Sequence, residues 1–377
     1  MNRLIIYLNC LGAHRCRALL ALLALLMFLS VLLLPQSHGA TGSKEIYGPD
    51  YRMDIVEVAD PAQVAMSHAV GGLVLRNHLT RQPNGSYLVH TRELLVRADN
   101  HESYPLCPEE PFSDQPVLPF CTTFLVGPDI LVTAGHCMDF PAEDLAVVFG
   151  YQVNQAGSAP ALLPASNVYF IEKVLHNINT RDKDYAIMQL DRRVPEERDP
   201  LNFRRIGRVH RNIPVGVIGH PLGLPLKIAF GDQSVVYDDR DAQYFIANFD
   251  ASAGNSGSPV INQRTGVVEG IYIYSTVEDL VFSEDGCWEQ NRVTLDEAGQ
   301  GVYRITHIAE LLDQAIADSE EAWETELNKH IPACGLTSLG ANQAEKFNTN
   351  HAILVGLLLI LMCYAHTPQS TKNHHAP

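Results

Sequence analysis

Several features that are common in other classes of protein are scarce or missing in this chain of 377 residues. Its cysteines form no Cys-x-x-Cys pair, so the sequence does not support a zinc site. No internal repeat or low-complexity tract appears, so a repeat architecture is not predicted. Basic residues are few, because beyond residue 40 the chain carries 24 basic against 43 acidic side chains. An acidic body argues against nucleic acid or an anionic membrane as a partner.

Apolar runs of two different lengths lie near the ends of the chain. Basic residues precede an apolar run at 18–34, and small residues follow it, as is typical of a secretory signal. We therefore expect cleavage after Gly39 or Ala40 and a secreted or periplasmic protein, with an uncleaved anchor as the alternative. The second run, at 352–365, is 14 residues long, short of the ~20 that a membrane span needs. Weak membrane association through this run stays open.

A serine in the second half of the chain lies among small residues, in the sequence Ala-Gly-Asn-Ser-Gly-Ser-Pro. A serine hydroxyl is a poor nucleophile unless a base takes its proton. Glycine allows backbone N–H groups to turn toward an oxyanion at low cost. Ser256 is therefore the candidate nucleophile, and the N–H groups of Gly254 and Ser256 are the candidate oxyanion hole. Taken alone, the stretch also fits an ordinary turn before a strand.

A histidine and an aspartate upstream would supply a base and its partner. The segment from Cys121 to Cys137 predicts two strands joined by a Gly-Pro-Asp turn, with His136 at the end of the second strand. The two cysteines bracket this hairpin, so a disulfide between them would hold the loop that carries the histidine. Asp184 opens an apolar strand and would fix the imidazole tautomer. Asp182 is the alternative acid.

In order and spacing, these stretches resemble the chymotrypsin-like (trypsin-like) serine peptidases. The specific combination is Thr-Ala-Gly-His-Cys at 133–137 with Gly-Asn-Ser-Gly-Ser-Pro at 254–259. The second motif is similar to the bacterial branch that includes the glutamyl endopeptidases. The resemblance implies a serine endopeptidase acting on proteins or peptides, with His136 as general base, Asp184 as its orienter and Ser256 as nucleophile. It implies no metal and no cofactor.

The same resemblance implies an all-β fold of two six-stranded antiparallel Greek-key barrels followed by a C-terminal helix. We expect the first strand to begin at Val64, the helix to cover 308–317, and the molecule to be a monomer. The expected organisation is a signal peptide at 1–40, a lead-in at 41–63, a peptidase domain at 64–318 with its junction near 191–212, a polar linker at 319–350, and an apolar segment and tail at 351–377.

Two residues are candidates for the substrate pocket. Asp250 lies six residues before Ser256, where trypsin-like enzymes carry an aspartate that pairs with Arg or Lys. This predicts a preference for basic residues, and a turn or hydrogen-bonding role is the alternative. Tyr272 stands after Gly-Ile, where glutamyl endopeptidases carry a histidine, so the sequence does not favour glutamate specificity. Tyr272 would line the pocket as part of an aromatic wall or face the barrel core.

Three cysteines remain after the predicted pair and the predicted signal and tail segments are set aside. Cys107, Cys287 and Cys334 compete for one further disulfide, and their spacing does not decide between them. Two other functional classes also stay open. One is a catalytically silent homologue that binds peptides, and the other is an esterase that uses the same three side chains.

Overall fold

The computed structural model describes residues 46–98, 101–276, 279–294 and 299–330. The chain divides into two compact units, residues 1–320 and 321–377, and the second is described only over 321–330. The predicted signal peptide, Cys334 and the apolar run at 352–365 lie outside the described residues. Across the described ranges, no helix combines the length and hydrophobicity that a membrane span requires.

The described residues form mainly short strands, with two α-helices and several single turns of 3-10 helix. In chain order the strands are β1 (Ile46–Tyr47), β2 (Arg52–Asp54), β3 (Val70–Leu75), β4 (Leu79–Arg81), β5 (Tyr87–Val89), β6 (Leu95–Arg97), β7 (Ser103–Pro105), β8 (Cys121–Leu125), β9 (Ile130–Thr133), β10 (Leu145–Phe149), β11 (Leu162–Leu163), β12 (Val168–Asn179), β13 (Asp184–Leu190), β14 (Val215–Gly219), β15 (Lys227–Ala229), β16 (Val236–Asp238), β17 (Tyr244–Ala247), β18 (Pro259–Asn262), β19 (Val268–Ser275), β20 (Leu280–Phe282), β21 (Trp288–Gln290), β22 (Arg292–Val293) and β23 (Gln300–Arg304). The helices are α1 (Pro61–Ser67) and α2 (Ala309–His330).

The first barrel is a closed antiparallel ring in the order β10-β12-β13-β9-β8-β3. Its strands are rich in buried β-branched and aromatic residues, which suit a pleated surface that packs on both faces. The β8–β9 hairpin lies beside β13, which the chain reaches only after β10 and β12, so the order in space differs from the order in sequence. This interleaving is the Greek-key arrangement.

The second barrel is built from a sheet in the order β16-β17-β23-β19-β18-β14-β15-β2. The β16 end of this sheet meets the start of β14, because Pro214 bridges Val235 and the Val215 N–H donates to the Ser234 carbonyl at 3.0 Å. Strands β15 and β16 thus act as two pieces of one barrel strand, separated by residues 230–235. The predicted all-β fold of two barrels with a C-terminal helix is confirmed. No sequence pattern above predicts β23, which completes this barrel between β17 and β19.

Three of the expected boundaries differ from the structure. Val64 lies in α1, which begins after Asp60, whose carboxylate accepts the Ala62 N–H at 2.9 Å as an N-cap. The first barrel strand therefore starts at Val70. The lead-in is also part of the fold, since β2 extends the second barrel by pairing with β15. Helix α2 runs past the expected end at 317 into the segment expected to be a linker, because residues 319–330 are rich in helix-forming Glu, Ala, Leu and Lys.

Candidate active site

Strand register places His136 beside Asp184. Thr133, the last residue of β9, lies opposite Ala186 of β13, so the chain beyond β9 meets the start of β13. Asp184 Oδ2 lies 2.8 Å from His136 Nδ1, and its Oδ1 accepts the His136 backbone N–H at 3.0 Å. Asp184 is only 7% exposed. A carboxylate at Nδ1 favours the tautomer with the proton on that nitrogen and leaves Nε2 free to accept one.

The loop that carries Ser256 lies against the turn that carries His136. The Ser256 carbonyl accepts the Thr122 N–H at 2.9 Å and lies 3.5 Å from the sulfur of Cys137, the residue after the histidine. The Ser256 hydroxyl lies 3.5 Å from the Ile273 carbonyl oxygen. Strand β8, the histidine turn and the serine loop therefore meet at one place, where the two barrels adjoin.

The Cys121–Cys137 disulfide is present, so this predicted pair is confirmed. It joins the start of β8 to the histidine turn. Cys121, His136 and Cys137 are also the one group of metal-ligating atoms that lie close together within the described ranges. Both sulfur atoms belong to the disulfide, so neither is a thiolate that would hold a metal ion.

Two backbone N–H groups of the serine loop have no acceptor among the residues that the structure describes. Gly254 has a φ of +91°, and a Cβ there would come within 2.4 Å of the His220 carbonyl oxygen, so only glycine fits. Within the described part of the chain, no acceptor takes the N–H of Gly254 or of Ser256. The carbonyl groups around them are occupied, since Ala253 accepts the Leu222 N–H at 2.5 Å. This leaves the two N–H groups available to an oxyanion.

Thr122 holds this loop from behind, a role that the sequence did not indicate. Its hydroxyl is fully buried, donates to the Gly254 carbonyl at 2.8 Å and accepts the His220 N–H at 3.0 Å. A single threonine inside an apolar strand carries no pattern that would single it out.

The neighbouring His220 is buried with Nδ1 2.9 Å from the Leu224 carbonyl, and burial lowers its pKa to about 4. It is therefore neutral near pH 7 and not a second base.

Asp250 does not line a substrate pocket, contrary to the expectation from its position before Ser256. It is 1% exposed, and its two oxygens accept the N–H groups of Tyr47 and Tyr51 at 2.8 Å each. Burial raises its pKa to about 7 despite these two hydrogen bonds. The lead-in fills the space in front of the carboxylate, so a cationic side chain cannot reach it. Asp250 is therefore a hydrogen-bonding residue, which was the alternative role expected from the sequence.

Tyr272 likewise faces the core of the second barrel and not the substrate. It is 2% exposed, its hydroxyl donates to Gln300 Oε1 at 3.0 Å, and its ring packs edge-on against Phe249. The register of β19 shifts between Tyr272 and Tyr274, which breaks the regular alternation, so Tyr274 does not share the buried position of Tyr272. Tyr274 is 42% exposed and lines an open cavity.

Two cavities border the residues brought together here. The larger, about 1100 Å³, reaches His136 and Asp184 and is lined by Asp182, Asp241, Tyr244 and Tyr274 among others. The smaller, about 510 Å³, reaches Ala253 and Gly254. Asp182 therefore lies at the cleft but is not the carboxylate that bonds His136. The cleft extends to both sides of the candidate site.

Comparison with known proteins agrees with this arrangement. Residues 121–271 match the family model of the trypsin-like peptidase domain, a span that contains His136, Asp184 and Ser256. This part of the chain is therefore similar to the trypsin-like peptidase domain. No curated protein matches the chain. A solved structure of a Glu endopeptidase in complex with MPD is similar, at 16% identity and a TM-score of 0.43, over 72% of this chain and 99% of that one.

Proposed function

We propose that this trypsin-like peptidase domain is an active, secreted serine endopeptidase. The observation that carries the proposal is the Asp184–His136 pair, held at 2.8 Å, together with a serine loop whose Gly254 and Ser256 N–H groups have no acceptor in the described ranges. Substrates of this peptidase family are proteins and peptides. Secretion is supported by the signal-like N-terminal sequence and by two disulfides, which persist in oxidising compartments.

The proposed reaction is acyl transfer through Ser256. His136 Nε2 takes the hydroxyl proton as Ser256 Oγ attacks the peptide carbonyl carbon, and Asp184 stabilises the imidazolium that forms. The carbonyl oxygen becomes an oxyanion that the Gly254 and Ser256 N–H groups bind, each such donor being worth roughly 3 kcal/mol. His136 then gives its proton to the leaving amine. Water, activated by the same histidine, hydrolyses the acyl-enzyme and releases Ser256.

Active-site labelling of the purified chain from residue 41 onward tests the proposal. A fluorophosphonate probe should label the wild type but not Ser256→Ala, because only an activated serine reacts with it. Ser103→Ala, which removes an exposed serine in β7, should label like the wild type. Folded wild type that takes no label would favour the silent peptide-binding homologue. Label retained in Ser256→Ala would mean that another serine is the nucleophile.

Two aspartate variants separate the acid that bonds His136 from its neighbour. Asp184→Asn keeps the shape but favours the wrong histidine tautomer, so kcat should fall by about four orders of magnitude. Asp182→Asn leaves the Asp184–His136 hydrogen bond in place and should keep kcat within about threefold of wild type. Turnover of peptide substrates, measured beside turnover of small esters, also distinguishes a peptidase from an esterase.

A further inference from the structure

The smaller cavity beside Gly254 has several apolar residues in its walls. It is about 510 Å³ in volume and opens next to Ala253 and Gly254, on the serine loop. Its lining includes the apolar side chains of Leu94, Val96, Phe120, Leu222, Leu280 and Trp288, together with the charged residues Arg92 and Asp279. An open apolar cavity of this size fits one or two side chains of a bound peptide.

Two hairpins that lie outside the barrels contribute Val96, Leu280 and Trp288 to these walls. One is β6–β7 and the other is β20–β21. The Cys107–Cys287 disulfide joins them, and the Cys107 N–H donates to the Trp288 carbonyl at 2.8 Å. The Trp288 indole N–H donates to the Val96 carbonyl at 2.9 Å. These three links hold the two hairpins in one position, so the cavity is preformed and not made on binding.

The cavity wall is also bonded directly to the serine loop. The Asp279 carboxylate, next to the β20 wall residue Leu280, accepts the Ala253 N–H. From the opposite side the Leu222 N–H donates to the Ala253 carbonyl. The backbone N–H and carbonyl of Ala253, the residue before Gly254, are therefore both bonded to residues that line the cavity. A group bound there lies beside the place where an oxyanion would form.

Chain connectivity indicates which end of a substrate would reach the cavity. His136 has to protonate the leaving nitrogen, so the leaving group passes beside the histidine turn. The residue after His136 is Cys137, which is bonded to Cys121, and Phe120 directly precedes Cys121. Phe120 lines the cavity. The wall residue Phe120 is therefore next in the chain to the disulfide that holds the histidine turn.

We propose that this cavity is a subsite for an apolar side chain on the leaving-group side of the scissile bond. The inference rests on the proposed peptidase function and adds a preference that Asp250 and Tyr272 do not provide. A leucine- or phenylalanine-sized side chain would bury its surface against Leu280 and Trp288. The two joined hairpins contribute to this preference through Val96, Leu280 and Trp288, together with Phe120 and Leu222.

The acyl-enzyme can react with either water or an added amino acid amide. The ratio of the two products reports only on binding at the leaving-group side of the cleft. A p-nitrophenyl ester acylates Ser256 and releases p-nitrophenol, and either water or an amino acid amide then attacks the acyl carbon. In aminolysis the C–N bond forms, the ester bond to Oγ breaks, and the proton of the amine passes through His136 to Oγ. Leucinamide or phenylalaninamide should give a ratio of aminolysis to hydrolysis at least about tenfold that of glycinamide.

Variants of the wall should reduce this preference without changing ester hydrolysis. Leu280→Ala enlarges the cavity, and Val96→Phe fills it from a half-buried position that tolerates the change if the first variant fails to fold. Each should bring the leucinamide ratio to within about threefold of glycinamide, since most of the buried apolar contact is lost. Ile206→Ala removes an 84% exposed apolar side chain that lines neither cavity, and it should partition like the wild type.

The outcomes separate this inference from the proposed function. Wild type that hydrolyses the ester but treats leucinamide and glycinamide alike would overturn the subsite and leave the peptidase proposal standing. The same conclusion follows if both wall variants keep the full preference. Wild type that neither hydrolyses the ester nor takes a fluorophosphonate label would overturn both.

Discussion

Single side chains hold the serine loop in place, and Thr122 makes the most consequential of these contacts. Thr122→Val keeps the shape but leaves the buried Gly254 carbonyl and His220 N–H without their partner. The loop should then settle differently, and kcat should fall by about ten- to a hundredfold with little change in KM, because the oxyanion donors are displaced. Stability should drop by about 1–3 kcal/mol. Steady-state kinetics and urea unfolding measure the two effects.

The next residue offers a matched control for this prediction. Thr123 is also buried in β8, and its hydroxyl donates to the Val132 carbonyl at 2.8 Å, away from the serine loop. Thr123→Val should lose a similar amount of stability and keep kcat. Equal kcat values for the two valine variants would contradict a positioning role for Thr122.

Asp250 should make the free energy of unfolding depend on pH. Its pKa is raised from 3.8 to about 7, so between these pH values the folded state holds a proton that the unfolded chain releases. The free energy of unfolding therefore loses a contribution as the pH rises from about 4 to 7. Asp250→Asn removes that titration, and its urea midpoint should decline less over the same window. Parallel curves for wild type and variant would show that Asp250 titrates normally.

At the scale of elements, the two hairpins outside the barrels depend on their disulfide. Cys107 and Cys287 are 180 residues apart, so their bond constrains a long loop of the unfolded chain. The double variant Cys107→Ser/Cys287→Ser should lose about 2–5 kcal/mol of stability. It should also lose the leaving-group preference while it still takes the fluorophosphonate label. Thermal unfolding and acyl-enzyme partitioning test the two parts.

The second disulfide provides the contrast at the same scale. Cys121→Ser/Cys137→Ser removes a bond across only 16 residues, for which chain entropy predicts a stabilisation of about 3 kcal/mol. This bond carries the histidine turn, so labelling of Ser256 should slow as well. A labelling rate equal to that of the wild type would show that strand register alone positions His136.

At the scale of the whole molecule, the lead-in is a structural part of the second barrel. Lys227 of β15 is 2% exposed, and its Nζ bonds Asp54 Oδ1 of β2 at 2.6 Å. Burial lowers the Lys227 pKa to about 8, the direction expected for a cation that is costly to keep charged inside the fold. Removal of β2 would leave this amine buried with one partner fewer.

A chain that begins at residue 64, the domain boundary expected from sequence, should therefore be less stable than one that begins at residue 41. The point variant Asp54→Ala should itself cost about 3–5 kcal/mol, as breaking a buried ion pair does. Asp60→Ala, which removes only the N-cap of α1, should cost about 1 kcal/mol. Denaturant unfolding compares all three. Equal midpoints for the chains from 41 and 64 would show that the lead-in is dispensable.

Local sequence was enough for the barrel class and for the residues gathered at the cleft. Thr-Ala-Gly-His-Cys and Gly-Asn-Ser-Gly-Ser-Pro are specific because the residues in each motif are neighbours in the chain. The Cys121–Cys137 pair closes a single hairpin, so its spacing already indicated the bond. The choice of Asp184 over Asp182 depended on one apolar strand that follows directly. The catalytic roles of these residues stay predictions until labelling tests them.

What these patterns missed depends on residues that are distant in the chain. Tyr47 and Tyr51 lie 203 and 199 positions from Asp250, and no pattern near Asp250 shows that their N–H groups will occupy its carboxylate. Cys107 bonds Cys287 across 180 residues, and β2 and β15 meet across a similar separation. Propensity and periodicity act within a few turns of chain. The sequence by itself therefore determined the motifs that carry the candidate chemistry. Which groups surround Asp250, and which hairpins join, was decided only by the packing of segments that are distant in the chain.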